Sequence, residues 1–450
     1  MYDKNYLVKT DSLSTQRDSL FWAEIRNTPL NDREKHSYVV KDSIQGRVDS
    51  VRKTYTNATF EPFDLVTGGR IGGDSTRFEF KYGGIIGALK DYSFVDGFSL
   101  GQKFELSAKL NQSNKLVFTP ELYYTTARKN LVWSATLELK YAPMRLGHLI
   151  VSAGDVSADF SPSGTALPDD AFSTLFYGEN HRMLYRNKYF HLRNAIDLTN
   201  GLQLITILKA ADRSALTNNT RYRFFGSGSK IKENLQDMEY NDLLSYSVGF
   251  TYTPEYYYSI YEGRKRYRHT KYPTITMFYD EGFSSVSSEN SRFRRLQGQI
   301  NHRVRLNPFS SFSYLINAGG YLGDRSRMNF ADYKHINTTG NVWAATKSPL
   351  YSFMLLDPYQ ASTNKYWVYS HINYNSKYIL FKRLPFLQGK LFNEGLHLKY
   401  LYTPTMKNYT ELGYSVDLFH MLSLGVHCSF LKFNYESVGL RMVFNMDVFR

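Results

Sequence analysis

The sequence predicts an all-β protein: a transmembrane antiparallel β-barrel of about 16 strands, with a short, partly helical N-terminal segment. Three observations predict it. Segment after segment alternates apolar and polar residues, and a period of two sends alternate side chains to opposite faces of a strand. The charges keep to one phase of that alternation, as when one face meets lipid and the other a wet lumen. The 450 residues include 37 Tyr and 31 Phe, which favour strands and form the interfacial girdles of membrane barrels.

The final stretch, Ser437 to Arg450, shows the pattern most clearly. Leu440, Met442, Phe444, Met446 and Val448 fall on one face, and Arg441, Asn445 and Asp447 on the other. A terminal strand of this kind must close a sheet, because an open edge in hydrocarbon leaves backbone groups without partners. No apolar run approaches the roughly 20 residues of a transmembrane helix. A large soluble all-β sandwich would not need charge confined to one face of nearly every strand.

The chain is expected to divide into an N-terminal segment, 1–66, and a barrel, 67–450. In the first, Asn31 reads as an N-cap and Asp32 and Glu34 as acids in the first turn of a helix through Val40. This polar segment is expected on the periplasmic side, with a plug inside the lumen as the alternative. Met1 is followed by no apolar core of a secretory signal. The expectation is therefore a piece of a longer precursor.

Thr67 to Asp74 reads as a glycine-rich link. Phe78, Phe80 and Tyr82 open the strands, and Gly83, Gly84 and Gly87 then predict a weak or bent first strand. Phe104–Leu110, Leu116–Thr126 and Trp133–Tyr141 follow, with turn residues at Asn111–Asn114 and Arg128–Asn130. Leu149–Val156 precedes a long loop from Ser157 to Tyr177. Met183–Leu198 and Leu202–Ala211 pair across Thr199-Asn200-Gly201. After a polar excursion from Asp212 to Asp242 come Leu244–Tyr252, Thr274–Tyr279, Arg292–Leu306 and Phe312–Leu322. Gly323 to Lys365, the longest stretch without alternation, predicts an extracellular or inserted loop. Tyr366–Phe381, Leu396–Tyr402, Leu412–Leu418 and Leu422–Phe430 complete the set before the terminal strand.

The formal net charge of +14 raises nucleic acid as a partner. The cations instead alternate with apolar residues or sit in loops such as Arg264–Arg268. Outer-membrane lipid and lipopolysaccharide are the expected partners, together with periplasmic or outer-membrane proteins. The lone Cys428 shares the phase of Leu424 and Val426 and reads as a small apolar side chain. No catalytic, cofactor or metal motif emerges. Gly226–Lys230 lacks the spacing of a phosphate loop, and the eleven histidines have no ligand spacing with nearby acids. The inner face is expected to carry Lys109, Glu138, Lys140, Lys399, Glu411, Asp417, Arg441 and Asp447.

At Phe21–Leu30, Val95-Asp96-Gly97-Phe98, Lys271–Thr274, Phe353–Tyr359, Lys382–Leu387 and Tyr409–Gly413 the chain resembles a Bacteroidetes outer-membrane family. Its members usually carry a carboxypeptidase regulatory-like domain ahead of a domain of unknown function. The family looks distantly similar to BamA/TamA-type assembly-factor barrels. The resemblance implies a sixteen-stranded barrel with a seam between first and last strands. The Val-Arg-Gly-Phe loop motif of those factors is missing here.

These readings lead to a non-enzymatic outer-membrane barrel. One function is assembly or translocation through a weak seam between Gly83, Gly84 and Gly87 and the terminal residues Leu440, Met442, Phe444, Met446 and Val448. The alternatives are a passive pore or small-solute transporter, and a structural or surface-binding barrel.

Overall fold

The computed structural model describes residues 21, 32, 34, 62–72, 77–111, 113–161, 167–225, 231–235, 238, 240–261, 263–283, 291–339, 343–346, 351–381, 384–385, 392–418 and 422–445. The chain forms two units, 1–58 and 59–450. In the first, Phe21, Asp32 and Glu34 are helical, and the rest of the expected helix lies outside the described residues.

The second unit is built from β1 (Gly69–Ile71), β2 (Phe78–Tyr82), β3 (Leu89–Ser93), β4 (Gly97–Lys109), β5 (Lys115–Thr125), β6 (Asn130–Tyr141) and β7 (Gly147–Asp159). Next come β8 (Leu184–Thr199), β9 (Leu202–Ala215), β10 (Asn241–Tyr252), a small hairpin β11 (Tyr258–Tyr261) and β12 (Arg264–Tyr267), β13 (Thr274–Phe283) and β14 (Phe293–Asn307). Last are β15 (Ser310–Leu322), β16 (Trp343–Thr346), β17 (Tyr366–Ser376), β18 (Asn393–Tyr402), β19 (Tyr409–Leu418), β20 (Leu422–Leu431) and β21 (Asn434–Asn445).

All but β11 and β12 join one 19-stranded sheet. Its pairing follows chain order as an antiparallel meander, with β10 passing directly to β13 and β15 to β17. β2 and β3 both pair with β4, at its two ends, and are halves of one broken stave. β1 and β16 are short additions at the two edges, so the meander has sixteen staves. The break falls at the glycines. Gly84 has φ +59, a conformation that L side chains rarely adopt, and a 3-10 turn follows at Ile86–Ala88.

The wall is inside-out relative to a water-soluble protein. Leu122, Trp133, Phe190, Leu208, Phe250, Met277, Leu296, Leu398, Leu412 and Leu440 are exposed on its outer face. Ser107, Ser152, Ser245, Ser313, Asn317, His371, Asn373, Lys399, Glu411 and Ser429 are buried on the inner one. This division defines a transmembrane barrel. Exposed Tyr252, Tyr272, Phe309 and Tyr378 lie toward the short-turn end. Tyr124, Phe283 and Tyr366 lie toward the end that carries the long loops.

β3, the hairpin of β11 and β12, and a helix at Leu167–Tyr177 within the expected loop from Ser157 to Tyr177 arise where no such element was expected, and four further strands depart from the pattern. β1 lies inside the glycine-rich stretch read as a link, where Gly69–Ile71 pairs with Tyr82–Phe80. β17 ends at Ser376: the Lys377 N–H turns to the Phe309 carbonyl, that of Tyr378 to Ser376 Oγ, and those of Ile379 to Phe381 to the Glu394 carboxylate. β21 starts at Asn434, ahead of the expected Ser437. Its turn, Lys432 and Phe433, has φ of 51° and 67° at both residues, the geometry of a two-residue hairpin turn, yet contains no glycine or asparagine. β16 arises within the loop from Gly323 to Lys365, far from any alternating stretch.

Candidate functional site at the lumen loop and the seam

Period-two geometry turns His371 of β17, Lys399 of β18, Glu411 of β19, His427 of β20 and Arg441 of β21 to the inside of one wall. Their outward neighbours Leu398, Leu412, Val426 and Leu440 are exposed. The loop between β15 and β17 folds into the space these inner residues face. The Glu411 carboxylate accepts the Met354 and Leu355 backbone N–H groups, each at 2.8 Å, and the Tyr409 hydroxyl at 2.8 Å. The Lys399 ammonium donates to the Ser352 carbonyl. Arg441 Nε donates to the Met354 carbonyl at 2.6 Å. Between these bonds Phe353 is fully buried, its ring 4.9 Å from His371 and 5.9 Å from Tyr409. Charged groups thus satisfy the backbone of an irregular segment inside the barrel, where water cannot be relied on.

The same loop also reaches the opposite wall. Asp332 takes a bidentate pair from Arg213 of β9 at 2.9 and 3.0 Å. The Tyr359 hydroxyl donates to Asp159 at the end of β7 and accepts the Met183 N–H at 2.9 Å. Arg182, in the loop between β7 and β8, makes a bidentate pair with Asp91 at 2.8 and 3.0 Å and a further bond to Asp170. Burial alone would depress the Arg182 guanidinium, but Asp91 and Asp170 hold it above its ordinary value. Burial likewise pushes the Tyr359 hydroxyl well up, aided by the Asp159 charge. The loop is therefore strapped across the lumen, from β18, β19 and β21 to β7 and β9.

The loop meets the seam as well. Trp343–Thr346 pairs in parallel with Met442–Asn445, with Ala345 opposite Phe444. This overturns the expected junction of the glycine-broken strand with the terminal one. Gly84 packs against Gly68 and Val66 at the approach to β1 instead, and among the described residues no backbone pairing joins β1 or β2 to β21. A strand from the chain's own interior has taken the edge. Of the predicted seam residues, Leu440 is exposed outward, Met442 and Phe444 carry the pairing, and Met446 and Val448 lie outside the described residues.

Of the predicted inner charges, the structure brings together Lys399, Glu411 and Arg441. Glu138 faces inward at 3.4 Å from His148, and Asp417 bonds Asn393 at 2.6 Å. Lys109 and Lys140 lie toward the short-turn end, away from the loop, and Asp447 is outside the described residues. Sequence reasoning gave no role to Arg182, Arg213 and Asp332, and met Phe353 and Tyr359 only as the two ends of a stretch that carries the family resemblance. Besides that resemblance, the signal at hand was an apolar run, Phe353 to Leu356, inside a stretch without alternation. Among the described residues no cluster of His, Cys, Asp and Glu has the form of a metal site.

Fold and lumen together define an outer-membrane-type β-barrel with an internal loop. The chain belongs to a family of unknown function, DUF5686, whose C-terminal domain matches residues 63–416. No curated protein matches it. Among solved structures, BamA from Haemophilus ducreyi lacking POTRA domains 1–3 aligns at 9% identity and a TM-score of 0.44, over 82% of this chain and 70% of that one. A mutant Rh. blastica porin aligns at 8% identity and a TM-score of 0.32, over 77% and 89%. The fold assignment rests on the strand pairing and the inverted faces, not on these distant likenesses.

Proposed function

We propose that this barrel handles another polypeptide at its seam, in outer-membrane protein assembly or translocation, and that β16 holds the place of the incoming strand. One observation carries the reading: the edge of β21 is occupied by only four residues of the chain's own loop, in parallel. An edge strand in lipid must be paired. A four-residue parallel ladder is a short and exchangeable partner, and strand addition to such an edge is a general mode of peptide recognition. The loop that supplies β16 also crosses the lumen, which argues against an open passive pore. In this reading the long loops face outward, and the start of the first stave and the end of the last both face the periplasm, as does the N-terminal segment. The Bacteroidetes source and the accessory regulatory-like domain implied by the sequence resemblance belong to the same proposal.

The test locks the placeholder. In a Cys428→Ser background, Ala345→Cys and Phe444→Cys would join β16 to β21 by a disulfide. The full chain in lipid vesicles is then offered a urea-unfolded small outer-membrane barrel, and folding is followed by its heat-modifiable gel shift. The proposal expects the reduced protein to speed client folding and the oxidised protein to lose that effect. Equal acceleration by the locked form, or none by either, overturns it. A steady open-channel conductance from the unmodified protein in a planar bilayer would favour the pore instead.

A further inference from the structure

On the long-loop side of the lumen, wall and loop line a half-open polar cavity of about 250 Å³. Lys209 of β9, Arg295 of β14 and Lys334 of the loop all line it. So do two acids, Asp280 and Asp332, but each is already engaged. Asp280 accepts from Arg295 Nε at 2.9 Å. Asp332 takes the bidentate pair from Arg213. Among the described residues, neither the Lys209 nor the Lys334 ammonium has an ion pair or hydrogen bond. The nearest compensation is aromatic: the Lys334 ammonium lies 5.5 Å from the Trp367 ring centre and 5.7 Å from that of Tyr369. Ser245 and Ser247 of β10 add two buried hydroxyls to the lining.

Counting Arg213 behind Asp332, four cations face two carboxylates. Two lysines on one lining, neither paired with a carboxylate, leave a positive potential that a small anion would neutralise. We propose that this cavity is a binding site for a small oxyanion of the phosphate type, held by Lys209 and Lys334 with hydroxyl support from Ser245 and Ser247. The volume accommodates a tetrahedral oxyanion and several waters, at about 30 Å³ per water. The anion would tie the loop, through Lys334, to the wall strands β9 and β10. It is independent of the seam proposal and does not depend on any client.

The experiment uses the full chain in a phosphate-free neutral detergent. Titration with inorganic phosphate is followed by calorimetry and by thermal unfolding, against chloride at equal ionic strength. A second arm uses dihexanoyl phosphatidic acid, a phosphate on a lipid. The proposal expects saturable binding and a raised Tm with at least one of the two. Inorganic phosphate alone points to a free ion, and phosphatidic acid alone to a lipid headgroup. Lys209→Gln and Lys334→Gln should each weaken binding by about tenfold or more, as loss of a charge-assisted contact does. Should Lys334→Gln fail to fold, Lys209→Gln, whose side chain opens onto the cavity, carries the test. If neither ligand differs from chloride, or if the lysine variants bind as the parent does, the site is overturned.

Discussion

Lys399 and Glu411 stand directly opposite one another on β18 and β19, yet each reaches inward to the same segment of the lumen loop. The carboxylate takes the N–H groups of Met354 and Leu355, and the ammonium takes the carbonyl of Ser352. Cross-strand opposite charges usually serve the sheet. Here they serve a segment more than forty residues away in sequence, and that use has consequences.

Replacing Glu411 with Gln removes the charge from an acceptor of three hydrogen bonds. Each bond to a charged group contributes about 1.5–3 kcal/mol, so the loop should loosen while the wall survives. Limited proteolysis between β15 and β17 should speed up by at least about tenfold, with the heat-modifiable mobility of the barrel unchanged. Unaltered proteolysis would mean that Glu411 does not hold the loop.

Arg182 ties Asp91 and Asp170 to one buried guanidinium. Arg182→Met leaves both acids without it and should destabilise the long-loop end by about 3–5 kcal/mol, as breaking a buried pair does. Adding Asp91→Asn should restore part of the lost Tm, because it removes one of the stranded charges. No recovery in the double variant would show that packing, not charge, dominates there.

The His335 imidazole donates from Nε2 to the Phe330 carbonyl at 3.0 Å, its neutral Nδ1 accepts from the Ser362 hydroxyl at 2.8 Å, and burial pushes its pKa down to about 4. Lys334, Asp332 and Arg295 are the charged groups that act on it. With a folded value below the unfolded 6.5, its contribution is complete above that pH and is lost as pH falls toward 4. Loop proteolysis should therefore rise on acidification across that window, and His335→Gln should flatten the profile. An identical profile in the variant would assign the effect to other groups.

At Gly84 an added Cβ would lie 2.3 Å from the Gly68 nitrogen and 2.7 Å from the Val66 carbonyl, and φ is positive. Gly84→Val should cost about 1–3 kcal/mol in backbone strain alone. The loss should appear first as faster amide exchange in β1 and β2, with β14 and β15 unaffected. Uniform exchange changes across the sheet would contradict a local role.

The staves were legible because period-two alternation is a strong signal when one face meets lipid and the other a polar lumen. The break at Gly84 was legible for a similar reason, since clustered glycines announce a backbone that departs from the strand. Three features were not. β16 is four residues, Trp-Ala-Ala-Thr, too short for any period to show. The Lys432–Phe433 turn adopts left-handed geometry without the residues that usually signal it. The inner role of Lys399, Glu411 and Arg441 could be placed on a face, but their partners are backbone atoms of a distant loop. Alternation says which way a side chain points, not what comes to meet it. The seam went astray for that reason: an unpaired terminal edge was recognised, and the strand that covers it was sought at the other end of the chain.

That strand is the central claim, and disulfide mapping in native membranes tests it most directly. Two variants share the Cys428→Ser background, one with Ala345→Cys and Phe444→Cys, the other with Ile85→Cys and Phe444→Cys. Paired strands bring Cα atoms within the separation of about 4.4–6.8 Å that a disulfide needs. The structure predicts rapid oxidation of the first pair and none of the second. Efficient oxidation of the second pair, and failure of the first, would close the barrel on its own first strand and remove β16 from the seam.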